Sequence, residues 1–104
     1  MSDWKEEGGT VVGEKTEQKT AKPPLYRVFL LNDDYTSMEF VVEVLQAVFH
    51  KAPPEATAIM LHVHRRGKGL CGVYTLEIAE TKTEKVHALA KEEGFPLRCD
   101  LERE

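Results

Sequence analysis

The chain has 104 residues, of which 41% are hydrophobic and 31% are charged, and its formal net charge is −4. This length and composition indicate one ordinary globular domain. The acidic balance argues against nucleic acid or an anionic membrane as the main partner, because both favour basic surfaces.

The N-terminal segment, residues 1–22, is predicted to be a flexible tail. It is rich in Gly, Thr, Lys and Glu, and it has too few large apolar side chains to offset the entropy cost of ordering. Trp4 is the exception, either an isolated exposed aromatic or a contact point for a partner. The folded domain is expected to span residues 23–104, with a first strand of β-forming residues over residues 26–31.

Two helices are predicted next. Thr36 and Glu39 form a T-x-x-E capping box at the start of the first helix, and His50 suits its C-terminal end. The second helix is expected to begin at residues 53–54, where proline is tolerated, and to end near Gly67. The apolar stripes are Met38, Val41, Val42, Leu45, Val48 and Phe49 on the first helix, and Ala56, Ile59, Met60 and Val63 on the second.

The C-terminal third is predicted to be strand, helix and strand. Residues 70–79 have the composition of a strand, and a capping box at Thr81 and Glu84 predicts a helix that ends at Gly94. Residues 97–102 alternate strictly between apolar and polar, which is typical of a half-exposed strand. The order β-α-α-β-α-β predicts an α+β fold, in which a three-stranded antiparallel sheet packs against three helices.

The polar turn after the first strand is the first candidate functional feature. A turn and a helix cap explain Asn32, Asp33 and Asp34, but a cap needs one polar side chain, and two carboxylates beside an amide also suit a cation. His62 and His64 form a second feature. They would share a face on a strand and could bind a metal, whereas on a helix they point apart.

Two charged runs are less informative. Residues 65–69 lack the full P-loop pattern and read as a solvated turn. Residues 77–82 read as surface polarity with helix capping, or as a polar docking patch. No catalytic motif is present, and an acid–base pair of Asp33 and His64 has no evident nucleophile or metal beside it.

The remaining features concern the compartment of the protein. No segment has the apolar length of a membrane helix or the apolar core of a signal peptide. Cys71 and Cys99 lie in strand-like runs without the spacing of a zinc site, so we expect two buried, reduced thiols. The sequence therefore predicts a cytoplasmic protein with no metal or other cofactor.

Several runs together resemble a known family. The segment LNDDYTSMEFVV, residues 31–42, resembles the signature of ClpS, the adaptor of the ATP-dependent Clp protease. Further agreement comes from ATAIMLHVH at 56–64, GK at 67–68, CGV at 71–73, AETK at 79–82 and FPL at 95–97. The resemblance runs in order from about residue 26 to residue 102. Ser37 departs from it, because many members carry proline there, but both residues suit the first turn of a helix.

The resemblance implies a non-enzymatic adaptor. Members of this family bind N-degrons, which are proteins that begin with Leu, Phe, Tyr or Trp, and deliver them to the ClpA unfoldase of the ClpAP protease. By position, Asn32, Asp33 and His64 match the residues that hold the free α-ammonium group. Matching the pocket for the first side chain are Met38, Val41, Met60, Val63 and Leu97, with Asp34 and Thr36 at its entrance. Glu77 and Lys82 match positions that contact the ClpA N-terminal domain, and the tail matches a segment needed for delivery.

The residue types suit this task. An ammonium group has three N–H donors, and the Asn32 amide oxygen, an Asp33 carboxylate and an imidazole nitrogen of His64 can accept them. An internal peptide bond offers no such group, so the site would select chain ends. Met38 should lean back over the turn from the first turn of its helix, where it would exclude the β-branched residues Ile and Val.

Two other classes of function stay open from the residues alone. One is a small metal- or ligand-binding domain that uses His62, His64 and the Asp33/Asp34 pair. The other is an enzyme with Asp33 and His64 as acid and base. Titration with peptides that begin with Leu, against N-acetylated copies, tests the adaptor, and zinc titration tests the metal site.

Overall fold

The computed structural model describes residues 22–104, so the predicted tail lies outside it except for Lys22. The described chain follows the predicted order β-α-α-β-α-β. Its elements are β1 (Leu25–Leu31), α1 (Met38–Ala47), α2 (Pro53–Arg66), β2 (Lys68–Thr75), α3 (Leu76–Glu93) and β3 (Arg98–Arg103). The predicted α+β fold, with a three-stranded antiparallel sheet and three helices, is confirmed.

The sheet has the strand order β2-β1-β3, so β1 lies in the middle and pairs antiparallel with both neighbours. Leu31, the last residue of β1, pairs with Lys68 on one side and with Arg98 on the other. On β2 the register shifts by one residue at Cys71, which makes a β-bulge. The end of β1 therefore lies beside the start of each partner strand.

The hydrophobic core lies between the sheet and the helices. Val28 and Leu30 of β1 are fully buried, as alternation along a strand requires when one face meets the core. The helices contribute their apolar stripes, which include Phe40, Val44 and Leu45 from α1, Ala56, Met60 and Val63 from α2, and Ala79, Val86 and Ala90 from α3. Within residues 22–104, no helix has both the length and the apolar character needed to cross a membrane.

The start of α1 differs from the prediction. Ser37 is the N-cap, and its Oγ accepts the backbone N–H of Phe40 at 3.1 Å. The predicted capping box of Thr36 and Glu39 is wrong, because the Thr36 hydroxyl instead donates to the Asp33 carboxylate. The helix also ends at Ala47, before the predicted end near His50.

The boundary between β2 and α3 also differs. The strand predicted over residues 70–79 ends at Thr75, and α3 begins at Leu76. The capping box predicted at Thr81 is wrong, because Thr81 lies inside the helix and its hydroxyl donates to the Glu77 carbonyl oxygen at 3.0 Å. Ile78 has a high strand propensity, but burial of Ala79 against the core outweighs that local preference.

Candidate functional site

A cavity of about 200 Å³ lies between the β1–α1 turn, α1 and α2. This volume is below the usual range for drug-sized ligands, about 300–1,000 Å³, and it suits a single side chain. The lining residues are Asn32, Asp33, Asp34, Thr36, Met38, Val41, Met60, Val63 and His64. The cavity thus brings together all three residues predicted for the α-ammonium group and six of the seven predicted for the side-chain pocket.

Backbone contacts explain why Asn32 and His64, which are far apart in the sequence, line the same cavity. The Asn32 N–H donates to the Gly67 carbonyl oxygen at 2.8 Å, which ties the end of β1 to the end of α2. Gly67 closes α2 with a φ of 94°, a conformation that glycine adopts without strain. Gly69 lets β2 approach the helix, because a Cβ there would come within 2.7 Å of Val63 Cγ2. These contacts hold the last turn of α2 beside the polar turn.

Asp33 organises the polar turn. Its Oδ1 accepts the backbone N–H groups of Tyr35 at 2.8 Å and Thr36 at 2.7 Å, and its Oδ2 accepts the Thr36 hydroxyl at 2.7 Å. Burial raises the pKa of this carboxyl, but the hydrogen bonds from Thr36 and Tyr35 outweigh it and hold the pKa below its usual value. A carboxylate has about four acceptor positions. Three are used within the turn, which leaves one on Oδ2 for a ligand.

The mouth of the cavity favours a cation. Asp33 and Asp34 line it, and no Lys or Arg is among its lining residues. His64 is exposed and lies in the last turn of α2, where the helix dipole is negative. The arrangement therefore offers an ionised carboxylate, an amide and an imidazole to a positively charged group.

His62 does not join this site. Its Cδ2 atom lies 3.5 Å from the position that a Cβ at Gly69 would occupy, which places His62 against β2. His64, two positions further along α2, lines the cavity instead. In the described part of the chain, no three His, Cys, Asp or Glu side chains come together in a way that could hold a metal ion. The alternative of a metal site at His62, His64 and the Asp pair therefore has no cluster to support it.

The floor of the cavity is apolar. Val41 and Val63 are 7% and 2% exposed, and Met60 is nearly buried. Met38 is different, because it is 45% exposed in the first turn of α1. Met38 and Met60 also line a second, shallower hollow with Glu39 and Val42. Met38 is therefore a wall between two hollows and not a core residue.

Leu97 is the one predicted pocket residue that the structure places elsewhere. It is 3% exposed, precedes β3 and is not among the lining residues of the cavity. It contributes instead to a larger cleft between α3 and the turn before β3. The family resemblance assigned Leu97 to the pocket, and the strand alternation predicted only that its side chain faces inward, which does not specify the hollow that it faces.

The two predicted partner-binding residues lie on α3. Glu77 is exposed in its first turn. Lys82 is half-buried, and its Nζ donates to the Val48 carbonyl oxygen at 2.8 Å and lies 5.2 Å from the centre of the Tyr74 ring. Five positions on a helix correspond to about 140° of rotation, so the two side chains do not share a face. The sequence gives no signal for the contact with Val48, because its partner is a backbone atom 34 residues away.

Comparisons with known proteins agree on one family. The family model described as "ATP-dependent Clp protease adaptor protein ClpS" matches residues 21–100. The ATP-dependent Clp protease adapter protein ClpS of Desulfatibacillum aliphaticivorans is 60% identical over 99 residues, which cover 95% of this chain and 94% of that protein. The protein of the same name from Maricaulis maris is 57% identical over 98 residues, covering 94% and 90%.

A solved structure is also similar. It is the structure of Agrobacterium tumefaciens ClpS2 bound to L-phenylalaninamide, with a TM-score of 0.77 and 46% sequence identity. The match covers 80% of this chain and 100% of that one.

Proposed function

The chain belongs to the ClpS family of ATP-dependent Clp protease adaptors, and we propose that it binds N-degrons and delivers them to the ClpA unfoldase of the ClpAP protease. An N-degron here is a free N-terminus that begins with Leu, Phe, Tyr or Trp. The observation that carries the proposal is the placement of three polar acceptors at the mouth of a small apolar cavity. The protein itself acts as an adaptor and catalyses no reaction.

The polar mouth recognises the α-ammonium group. The free acceptor position on Asp33 Oδ2 takes one N–H with charge-assisted strength, while the Asn32 amide oxygen and an imidazole nitrogen of His64 take the others. The hydrogen bonds from Tyr35 and Thr36 fix the carboxylate before the ligand arrives, so binding orders little of the turn. An acetylated or internal residue lacks the charge and the donors.

The apolar floor of the cavity binds the side chain of the first residue of the ligand. Val41, Met60 and Val63 form a preformed hollow in the core wall, and Met38 closes its outer side. The ligand in the similar ClpS2 structure fits this chemistry, because L-phenylalaninamide has a free amine, an aromatic side chain and an amide in place of the next peptide bond. A single unbranched or aromatic side chain would occupy the hollow here in the same way.

Delivery uses a different surface. Glu77 is exposed and free to meet the ClpA N-terminal domain, as its position in the family implies. For Lys82 we propose two roles. Its ammonium group caps the end of α1 by donating to the Val48 carbonyl oxygen, and its position matches one that contacts the ClpA N-terminal domain in the family. The two free thiols, Cys71 and Cys99, suit the reducing cytoplasm in which this protease would work.

A binding experiment tests the recognition site. A fluorescent peptide beginning with Phe is titrated with the wild type, with Asp33→Asn and with the matched control Asp34→Asn. Asp33→Asn keeps an oxygen for the backbone N–H groups of the turn but removes the charge. We expect at least a tenfold loss of affinity, since losing a charge partner costs about 2–5 kcal/mol, and a much smaller loss for Asp34→Asn.

The same titration with an N-acetylated peptide provides the second arm. Acetylation removes the ammonium group and leaves the side chain, so we expect it to abolish binding to the wild type. Equal affinity for the free and acetylated peptides would contradict the proposed function. Delivery is then measured as degradation of a reporter that begins with Leu by purified ClpA and ClpP, where Glu77→Lys should slow degradation without weakening peptide binding.

A further inference from the structure

A larger hollow lies outside the ammonium site, which is the cavity lined by Asn32, Asp33 and His64. It is an open cleft of about 750 Å³ between the C-terminal half of α3 and the turn before β3. Ala90, Phe95 and Leu97 make its apolar floor. A volume of this size is in the range of ligand sites, and nothing in the recognition of a single N-terminal residue uses it.

The rim of this cleft is basic. His87, Lys91 and Arg98 line it, and no carboxylate is among its lining residues, although the whole chain is acidic. Within residues 22–104, neither Lys91 nor Arg98 forms an ion pair. The His87 Nε2 accepts the backbone N–H of Cys99 at 3.1 Å, so this imidazole is neutral in the structure, and the charge of the rim comes from Lys91 and Arg98. Such a rim favours acidic groups.

A smaller hollow of about 140 Å³ shares lining residues with both the cleft and the ammonium site. Its lining includes Asn32 and Asp33, which also line the ammonium site. It also includes Pro96 and Arg98, which line the basic cleft. The three hollows therefore share lining residues and mark out a path over the end of β1, where Arg98 pairs with Leu31, the residue before Asn32.

We propose that this path holds the stretch of substrate that follows the first residue, and that the basic cleft prefers acidic side chains there. This inference rests on the proposed function, because the proposed function sets where the amine of the ligand lies. An extended chain advances about 3.3 Å per residue, so residues three to six would lie along Arg98, Lys91 and the floor of the cleft. Tyr35, which is 78% exposed on the edge of the cleft, offers an aromatic surface to the same segment.

The second residue of the substrate should follow the opposite rule. It lies next to Asp33 and Asp34, where a carboxylate would meet like charges. The preferred substrate class is therefore a bulky first residue, a second residue without negative charge, and acidic residues from the third position onward. This pattern is more specific than recognition of the first residue alone.

The test uses three peptides that begin with Leu-Ala and differ only at residues three to six, which are all Glu, all Gln or all Lys. Binding to the full chain is measured at about 0.1 M salt, where the screening length is about 10 Å. Exposed charge pairs are individually weak, so we expect the Glu peptide to bind about threefold to tenfold more tightly than the Gln peptide, and the Lys peptide to bind more weakly. High salt should reduce the differences.

Two charge-reversal variants locate the effect. Arg98→Glu should remove or reverse the preference for Glu, whereas Arg103→Glu, at the far end of the same strand, makes the same change of net charge and should preserve it. Arg103 is five residues away, about 17 Å along the strand. This distance exceeds the screening length of about 10 Å at 0.1 M salt.

The outcomes separate this inference from the proposed function. If all three peptides bind in a manner that requires the free amine, but with equal affinity, the cleft is not a substrate subsite and the N-degron function stands. Equal effects of Arg98→Glu and Arg103→Glu would likewise overturn the subsite. If a Glu peptide that begins with Gly binds as well as the one that begins with Leu, the cleft is a general anion-binding surface and the assignment is also wrong. If no peptide depends on its amine, the proposed function itself fails.

Discussion

Replacing Met38 with alanine should change which N-terminal residues bind while leaving the fold intact. Met38 is 45% exposed and separates the cavity from the neighbouring hollow. In the wild type, a ligand that begins with Ile or Val carries two heavy atoms on Cβ and would press against this thioether. Truncation merges the two hollows and removes the obstacle.

The magnitudes follow from burial and overpacking. Full burial of a methionine side chain contributes about 1.5–3 kcal/mol, and Met38 is about half buried, so Met38→Ala should cost roughly 0.8–1.5 kcal/mol of the free energy of unfolding. Overpacking by one branch costs about 1–3 kcal/mol. Relief of that clash should raise affinity for Ile and Val peptides by about fivefold to 150-fold, with a smaller change for Leu.

The assay is a peptide panel in which only residue one varies, measured with the wild type, Met38→Ala and Met38→Leu. Met38→Leu keeps the bulk of the side chain and should keep the exclusion of Ile and Val. Thermal unfolding of each variant checks that it is folded. If Ile and Val peptides remain excluded from a folded Met38→Ala protein, Met38 does not select the first residue.

Three further outcomes are expected. His64→Ala should weaken peptide binding, because it removes one acceptor from the mouth of the cavity, whereas His62→Ala, outside the cavity, should not. Burial and the nearby Arg98 lower the pKa of His87 in the folded protein. As the pH falls, the imidazole of His87 is therefore protonated in the unfolded chain before it is protonated in the folded one, and the melting temperature should fall below about pH 6.5. An equally steep fall in the His87→Gln variant would contradict this prediction. Removal of residues 1–22 should leave melting temperature and peptide affinity unchanged but impair delivery to ClpA, and normal delivery by the shortened chain would exclude that role.

Strong periodic patterns made the element order predictable from the sequence, but competition for a side chain made the helix starts unpredictable. Thr36 and Ser37 are both good N-caps. The choice between them depends on Asp33, which takes the Thr36 hydroxyl and leaves Ser37 to cap α1. The capping box predicted at Thr81 was wrong because the helix begins earlier, at Leu76, so that Thr81 lies inside it.

The residues that line the cavity could largely be predicted from the sequence, but the hydrogen bonds among them could not. Family resemblance supplied the candidate residues, and the structure brings nine of them to one cavity. The resemblance did not predict the hydrogen bonds from Tyr35 and Thr36 to Asp33, because their donors are backbone N–H groups, which every residue except proline has. It also could not supply the basic cleft, whose rim joins residues from α3 and β3 that lie apart in the sequence.

In the proposed function, Asp33 combines the stability of the turn with the selection of chain ends. Its carboxylate is held by three internal donors, so it stays ionised and fixed without a bound ligand. A turn with a freely rotating carboxylate would lose part of its binding energy in ordering that side chain. Because Oδ2 retains one acceptor position, the same group that closes the turn can take an N–H from an ammonium group. Replacement by alanine would remove both roles together, and Asp33→Asn is the change that separates them.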